Sequence, residues 1–152
     1  MDAEQAIAPA TAPAVRLYKI SGIALATVFG SVLAGGLLMS LNYRMLGLEQ
    51  KATRALQYSV LAIALILAAA FLIPPEWKIP DTAFTIPQLL AMIILSRQLQ
   101  GGAIEAHRGA AGLMASNWKA FGISLLVMIA VIALLFLAGM AVEFLSPGSL
   151  PG

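Results

Sequence analysis

The chain contains no cysteine. Disulfides, thiolate nucleophiles and cysteine-ligated metal sites are therefore excluded, and redox compartment leaves no trace. Histidine occurs once, at His107. A zinc site wants three or four ligands, which one histidine and its neighbours do not supply. Charge is scarce as well, at 11% of residues against roughly 25% in soluble proteins. No charge lies deep in any apolar run, which argues against a proton-coupled carrier. The sequence has no G-x-S-x-G, Walker A or G-x-G-x-x-G pattern, so the common nucleophile-elbow and nucleotide-binding signatures are missing. The Lys and Arg residues are scattered between apolar segments and form no stripe, so nucleic acid is not an expected partner. No cofactor is expected either.

What fills the space is apolar: 61% of the 152 residues are hydrophobic. A domain of this size has too little interior to hide so much apolar surface from water, whereas lipid solvates it. The expected fold is all-α and polytopic, with about four membrane-embedded segments near 20–42, 56–73, 83–100 and 120–145. A flexible tail is expected over 1–15, where prolines and alanines cannot build a core. Another tail, expected to be disordered, covers 147–152. Between them, 16–146 forms one membrane domain.

The first segment is rich in Gly and Ala. From Ile20 to Leu41 it carries no charge, close to the roughly 20 apolar residues that span about 30 Å of hydrocarbon. Gly22, Ala26, Gly30 and Ala34 recur every fourth position, and Thr27, Ser31 and Gly35 form a second small row. On a straight helix these rows make one flat face that admits another backbone. A signal-peptide reading, with Ala34-Gly35-Gly36 as the cleavage site, conflicts with an apolar run that continues to Leu41.

The other boundaries follow from stop and start signals. Gly47 ends the first segment. Pro74-Pro75 ends the second, with Trp77 at the interface. Thr85-Ile86-Pro87 looks like the start of a short third segment, and Gly101-Gly102 its end. Gly101 to Lys119 then reads as a polar loop, with Ser116 as N-cap of the last helix.

Two topologies fit. If every segment crosses, Arg44, Lys51, Arg54, Arg97, Arg108 and Lys119 share one side, and Arg16, Lys19 and Lys78 the other. If the first segment is a re-entrant hairpin turning near Gly30 or Gly35-Gly36, every basic residue but Lys78 falls on one side. That suits the positive-inside rule better. The continuous span is the leading reading, because a re-entrant bend exposes backbone groups unless protein or water covers them.

Two sets of residues invite chemistry. Gln57, Gln88 and Ser96, with Gln98 and Gln100, are polar groups near or inside spans and could line a path. Interhelical hydrogen bonding is the plainer role. Glu105, His107 and Arg108 form a loop cluster able in principle to move protons, though a solvated loop pair is the simpler account.

The span closing in Asn42-Tyr43-x-x-Leu46-Gly47, and the later His107 followed by Ser116-Asn117-Trp118, resemble small bacterial multi-span membrane proteins without assigned activity. The resemblance implies a multi-pass protein of the bacterial inner membrane and says nothing about catalysis. The expected function is a small structural or accessory subunit, with lipid, further copies of itself or a larger membrane protein as partners. The alternative is a small oligomeric transporter or channel.

Overall fold

The computed structural model describes residues 15–145. The tails expected over 1–15 and 147–152 lie outside that range, apart from Val15. The order is β1 (Arg16–Leu17), α1 (Ile20–Met45), α2 (Glu49–Leu72), a single 3-10 turn (Pro75–Trp77), α3 (Thr82–Gly109), β2 (Leu113–Met114) and α4 (Asn117–Leu145). The fold is all-α apart from one short parallel pair. Each of the four helices is long and apolar enough to cross a membrane. This is the build of a multi-pass membrane protein.

α1 does not use its length to cross. At Gly30 (φ −119°, ψ 16°) and Ser31 (φ 64°, ψ −175°) the backbone leaves helical geometry, and the chain turns back. The ends meet: Tyr18 N–H donates to Asn42 Oδ1 at 2.7 Å, and Asn42 Nδ2 donates to the Tyr18 carbonyl at 3.0 Å. On one continuous helix those residues would stand roughly 36 Å apart. The first arm, 20–29, is about 15 Å long and the second, 32–45, about 21 Å. Neither covers the roughly 30 Å hydrocarbon thickness. The leading expectation of a continuous first span is therefore corrected to a helical hairpin.

This hairpin is the hub. It packs against α2, α3 and α4, which make few contacts with one another. It supplies most of the buried apolar core, including Ile23, Ala26, Val32, Ala34, Leu38 and Met39. By contrast, α2 buries only Ala52 and Ser59, and α4 only Ala120 and Ser124.

Helix ends follow local chemistry. Gly47, at φ 73°, closes α1: its N–H donates to the Arg44 carbonyl and that of Leu48 to the Tyr43 carbonyl. This is a Schellman cap, which favours glycine at its left-handed position. α3 ends in the same pattern with Ala111 at φ 55°. Ser116 caps α4, its Oγ accepting from Trp118 N–H at 3.2 Å.

α3 begins within one residue of the segment expected from 83, but differs in the place of Pro87 and in where it stops. It starts at Thr82, so Pro87 lies inside it and not in its first turn. It also runs through Gly101-Gly102 to Gly109. A helical glycine costs about 1 kcal/mol relative to alanine. Burying Ile104, one turn beyond, contributes about 1.5–3 kcal/mol. Met92, Ser96, Gln100 and Ile104 are all buried at a spacing of four, so one continuous stripe holds the helix past the glycines.

Candidate functional site

Polar groups gather at the two ends of the hairpin. At the open end, Asn42 is fully buried. Besides its two bonds to Tyr18, its Nδ2 donates to Gln100 Oε1 at 3.1 Å. Gln100 Nε2 in turn donates to the Met39 carbonyl at 2.7 Å. Nearby, the Tyr43 hydroxyl donates to the Leu99 carbonyl at 3.4 Å. Asn42 thus spends both donors and its acceptor on defined partners, and Gln100 one donor and its acceptor. Burial pushes the Tyr18 phenol above its ordinary value, so it stays neutral at physiological pH. This cluster ties the first residues of the hairpin to its last and both to α3.

At the tip, the second arm needs partners for its first N–H groups. Val32 N–H donates to Gln88 Oε1 at 3.2 Å, and Leu33 N–H to Ser31 Oγ at 3.4 Å. Gln88 is itself held by its Nε2, which donates to the Phe84 carbonyl at 3.0 Å. Protein therefore covers the bend, as a turn at membrane depth requires.

The small residues divide between contacts. Because the chain reverses at Gly30 and Ser31, Gly22, Ala26, Gly30 and Ala34 do not form one continuous face, and neither do Thr27, Ser31 and Gly35. A Cβ on Gly35 would run into Thr27 Oγ1 across the hairpin, and one on Gly30 would meet the Ser124 carbonyl 2.7 Å away on α4. Gly22 faces Ala120, where a Cβ would stand 3.3 Å from the Ala120 Cβ. Gly36, outside both rows, lies directly against Ser59 of α2.

The expected path residues do not converge. Gln57 is exposed on α2. Gln88 serves the tip. Ser96 is buried, and its hydroxyl donates to the Ile93 carbonyl of its own helix at 3.1 Å. Gln100 is the member that joins the cluster, together with Asn42, which along the sequence marks only the end of a span. A hairpin reading would have pointed to Asn42, since it brings that residue back beside Tyr18.

Glu105, His107 and Arg108 sit in the last turns of α3, not in a loop. Arg108 and Glu105 form an exposed 3.6 Å pair, worth little to stability. His107 Nε2 lies 3.1 Å from both the Val15 and the Leu113 carbonyls. Carbonyls only accept, so Nε2 carries the proton and donates. Its ring packs over Gly112, where a Cβ would collide with it. His107 thereby fastens the β1–β2 pair, in which Arg16 sits opposite Leu113 and Leu17 opposite Met114.

One sizeable groove, about 600 Å³, runs between the second arm, α2 and α3. Three helical stripes line it: Val32, Gly36, Met39 and Tyr43 on the arm, Met92, Leu95 and Leu99 on α3, and Ala55, Tyr58 and Ala62 on α2. Lys51 and Arg54 stand at one end of the α2 stripe. Apart from Ser59 and the tyrosine hydroxyls, the rest of the lining is apolar. No protein-family model matches the chain, and neither a curated protein nor a solved structure proves similar to it.

Proposed function

We propose that this chain is a small non-enzymatic subunit of the bacterial inner membrane, packing with itself or with a larger membrane protein. The observation that carries the reading is the distribution of burial. The hairpin packs against three helices and holds most of the buried residues, while the outward faces of those helices stay free: Phe71, Leu72 and Phe144 are 84%, 83% and 87% exposed. Such faces suit lipid and partner helices alike. The amides at membrane depth are engaged within the chain, and the groove beside the hairpin is apolar. A conducting path would call for a polar cavity reaching Gln88, whose amide is instead occupied by Val32 and Phe84.

The hairpin also favours one orientation. Arg16, Lys19, Arg44, Lys51, Arg54, Arg97, Arg108 and Lys119 then share one end of the molecule, and Lys78 alone takes the other. The positive-inside rule places the basic end in the cytoplasm. The test is gentle detergent extraction followed by native mass measurement, with an ion-flux assay in liposomes alongside. The expected result is an oligomer or a stoichiometric complex and no flux. A lone monomer that conducts ions would overturn the reading.

A further inference from the structure

We infer that the groove between the second arm, α2 and α3 is a binding site for one anionic phospholipid. Its phosphate sits at Lys51 and Arg54, and an acyl chain runs along Tyr58, Met39, Met92 and Ala62. The inference rests on the membrane reading but not on the subunit role.

Three observations meet here. First, the groove holds about 600 Å³, within the range of about 300–1,000 Å³ usual for small-molecule sites. Its walls are apolar over most of their length, which fits a hydrocarbon chain and leaves a polar solute unpartnered. Second, its charge is polarised. Both cations in the lining are on the first turns of α2, at the basic end of the molecule, where headgroups lie. Lys51, Ala55, Tyr58 and Ala62 fall three or four apart, on one helix face. One stripe thus presents a cation, then an amphipathic ring, then bare hydrocarbon, in the order in which a phospholipid presents phosphate, glycerol and chain. Third, those cations are available. The ion pairs among the described residues are Arg44 with Glu49 and Arg108 with Glu105; Lys51 and Arg54 belong to neither.

The groove also has a reason to stay open. Gly36 brings α2 hard against the arm at Ser59, and Tyr43 ties the arm to α3 through the Leu99 carbonyl. α2 and α3 are thereby held to the same arm with little direct contact between them, and the space between them remains for a flexible chain.

The experiment uses the full chain, purified and delipidated in detergent. Phosphatidylglycerol and phosphatidylcholine with identical chains are added in turn, and binding is followed by native mass spectrometry and thermal shift. The expected result is one phosphatidylglycerol per chain, bound in preference to phosphatidylcholine. Lys51→Gln with Arg54→Gln removes that preference, by roughly 30-fold. Both positions are exposed, so the double variant keeps its fold. Arg16→Gln with Lys119→Gln removes the same charge from the same end and leaves the preference intact. Equal binding of the two lipids, or equal loss in both double variants, overturns the proposal. So does equal stabilisation by glycerol phosphate alone, which would make this a free-phosphate site. A dimer that excludes lipid from the groove would hand the site to a second copy and also overturn it. A flux-active chain that keeps the lipid preference would sink the subunit reading and leave this one standing.

Discussion

Ser31 is one of the non-glycine residues held at positive φ among the described residues. Its φ of 64° with ψ near −175° is a conformation that glycine adopts freely and other residues hold at about 1–3 kcal/mol. The hydroxyl recovers part of that by capping Leu33 N–H. Ser31→Gly should therefore leave thermal stability within about 1 kcal/mol of the parent, while Ser31→Val, bulky and without a cap, should lose about 2 kcal/mol or more. Equal melting of the two variants would show that the bend is not held at this residue. Asn42 is the other sensitive position. Asn42→Leu removes the acceptor of Tyr18 N–H and the donor to Gln100 Oε1 in a buried site, and should lower stability by about 2–4 kcal/mol. Denaturant titration in mixed micelles would measure it. A loss below about 0.5 kcal/mol would mean that the cluster does not close the hairpin.

At the scale of helices, glycines split into two kinds. At Gly36 an added Cβ would strike Ser59 of α2, whereas Gly101 and Gly102 face open space. Gly36→Ala should push α2 off the arm and destabilise by about 1–3 kcal/mol. Gly101→Ala should stabilise α3 by about 0.5–1 kcal/mol, since it adds helix propensity and meets nothing. Melting curves with the same sign for both substitutions would refute this division. The spacing in the sequence does not separate the two kinds: Gly101-Gly102 has the look of a stop, and Gly35-Gly36 of a turn. The first pair lies inside α3 because Gln100 and Ile104 are buried on either side of it. The second lies inside the second arm because the first arm and α2 come close there, at Thr27 and Ser59. Pro87 has the look of a first-turn residue, whereas α3 has already begun at Thr82.

For the whole molecule, the hairpin sets the number of crossings and so the sidedness. With α1 folded back, α2, α3 and α4 remain as the candidate crossing helices, and the start of the hairpin lies beside the end that leads into the α1–α2 turn. The absence of cysteine makes this directly testable by labelling single-cysteine variants in intact membranes. Arg16→Cys and Leu48→Cys should react with an impermeant thiol reagent from one side, and Glu76→Cys from the other. Labelling of Arg16→Cys and Leu48→Cys from opposite sides would reject the hairpin and restore a continuous first crossing.

Much of this was legible along the chain. Apolar runs free of charge, Gly47 after the first run, Pro74-Pro75 after the second and Ser116 before the last are local features, and each acts on the few residues beside it. The helical class, the apolar segments and most of their ends follow from them. The reversal of α1 does not. A bend in lipid persists only if its freed backbone groups find partners, and the acceptor for Val32 N–H comes from Gln88, 56 positions away. Closure of the open end rests on Asn42 meeting Gln100, 58 positions away. Composition supplied a hydrophobic stretch that suits a straight span or a hairpin equally. The choice between them was made by distant amides, whose hydrogen bonds exist only once the helices have packed.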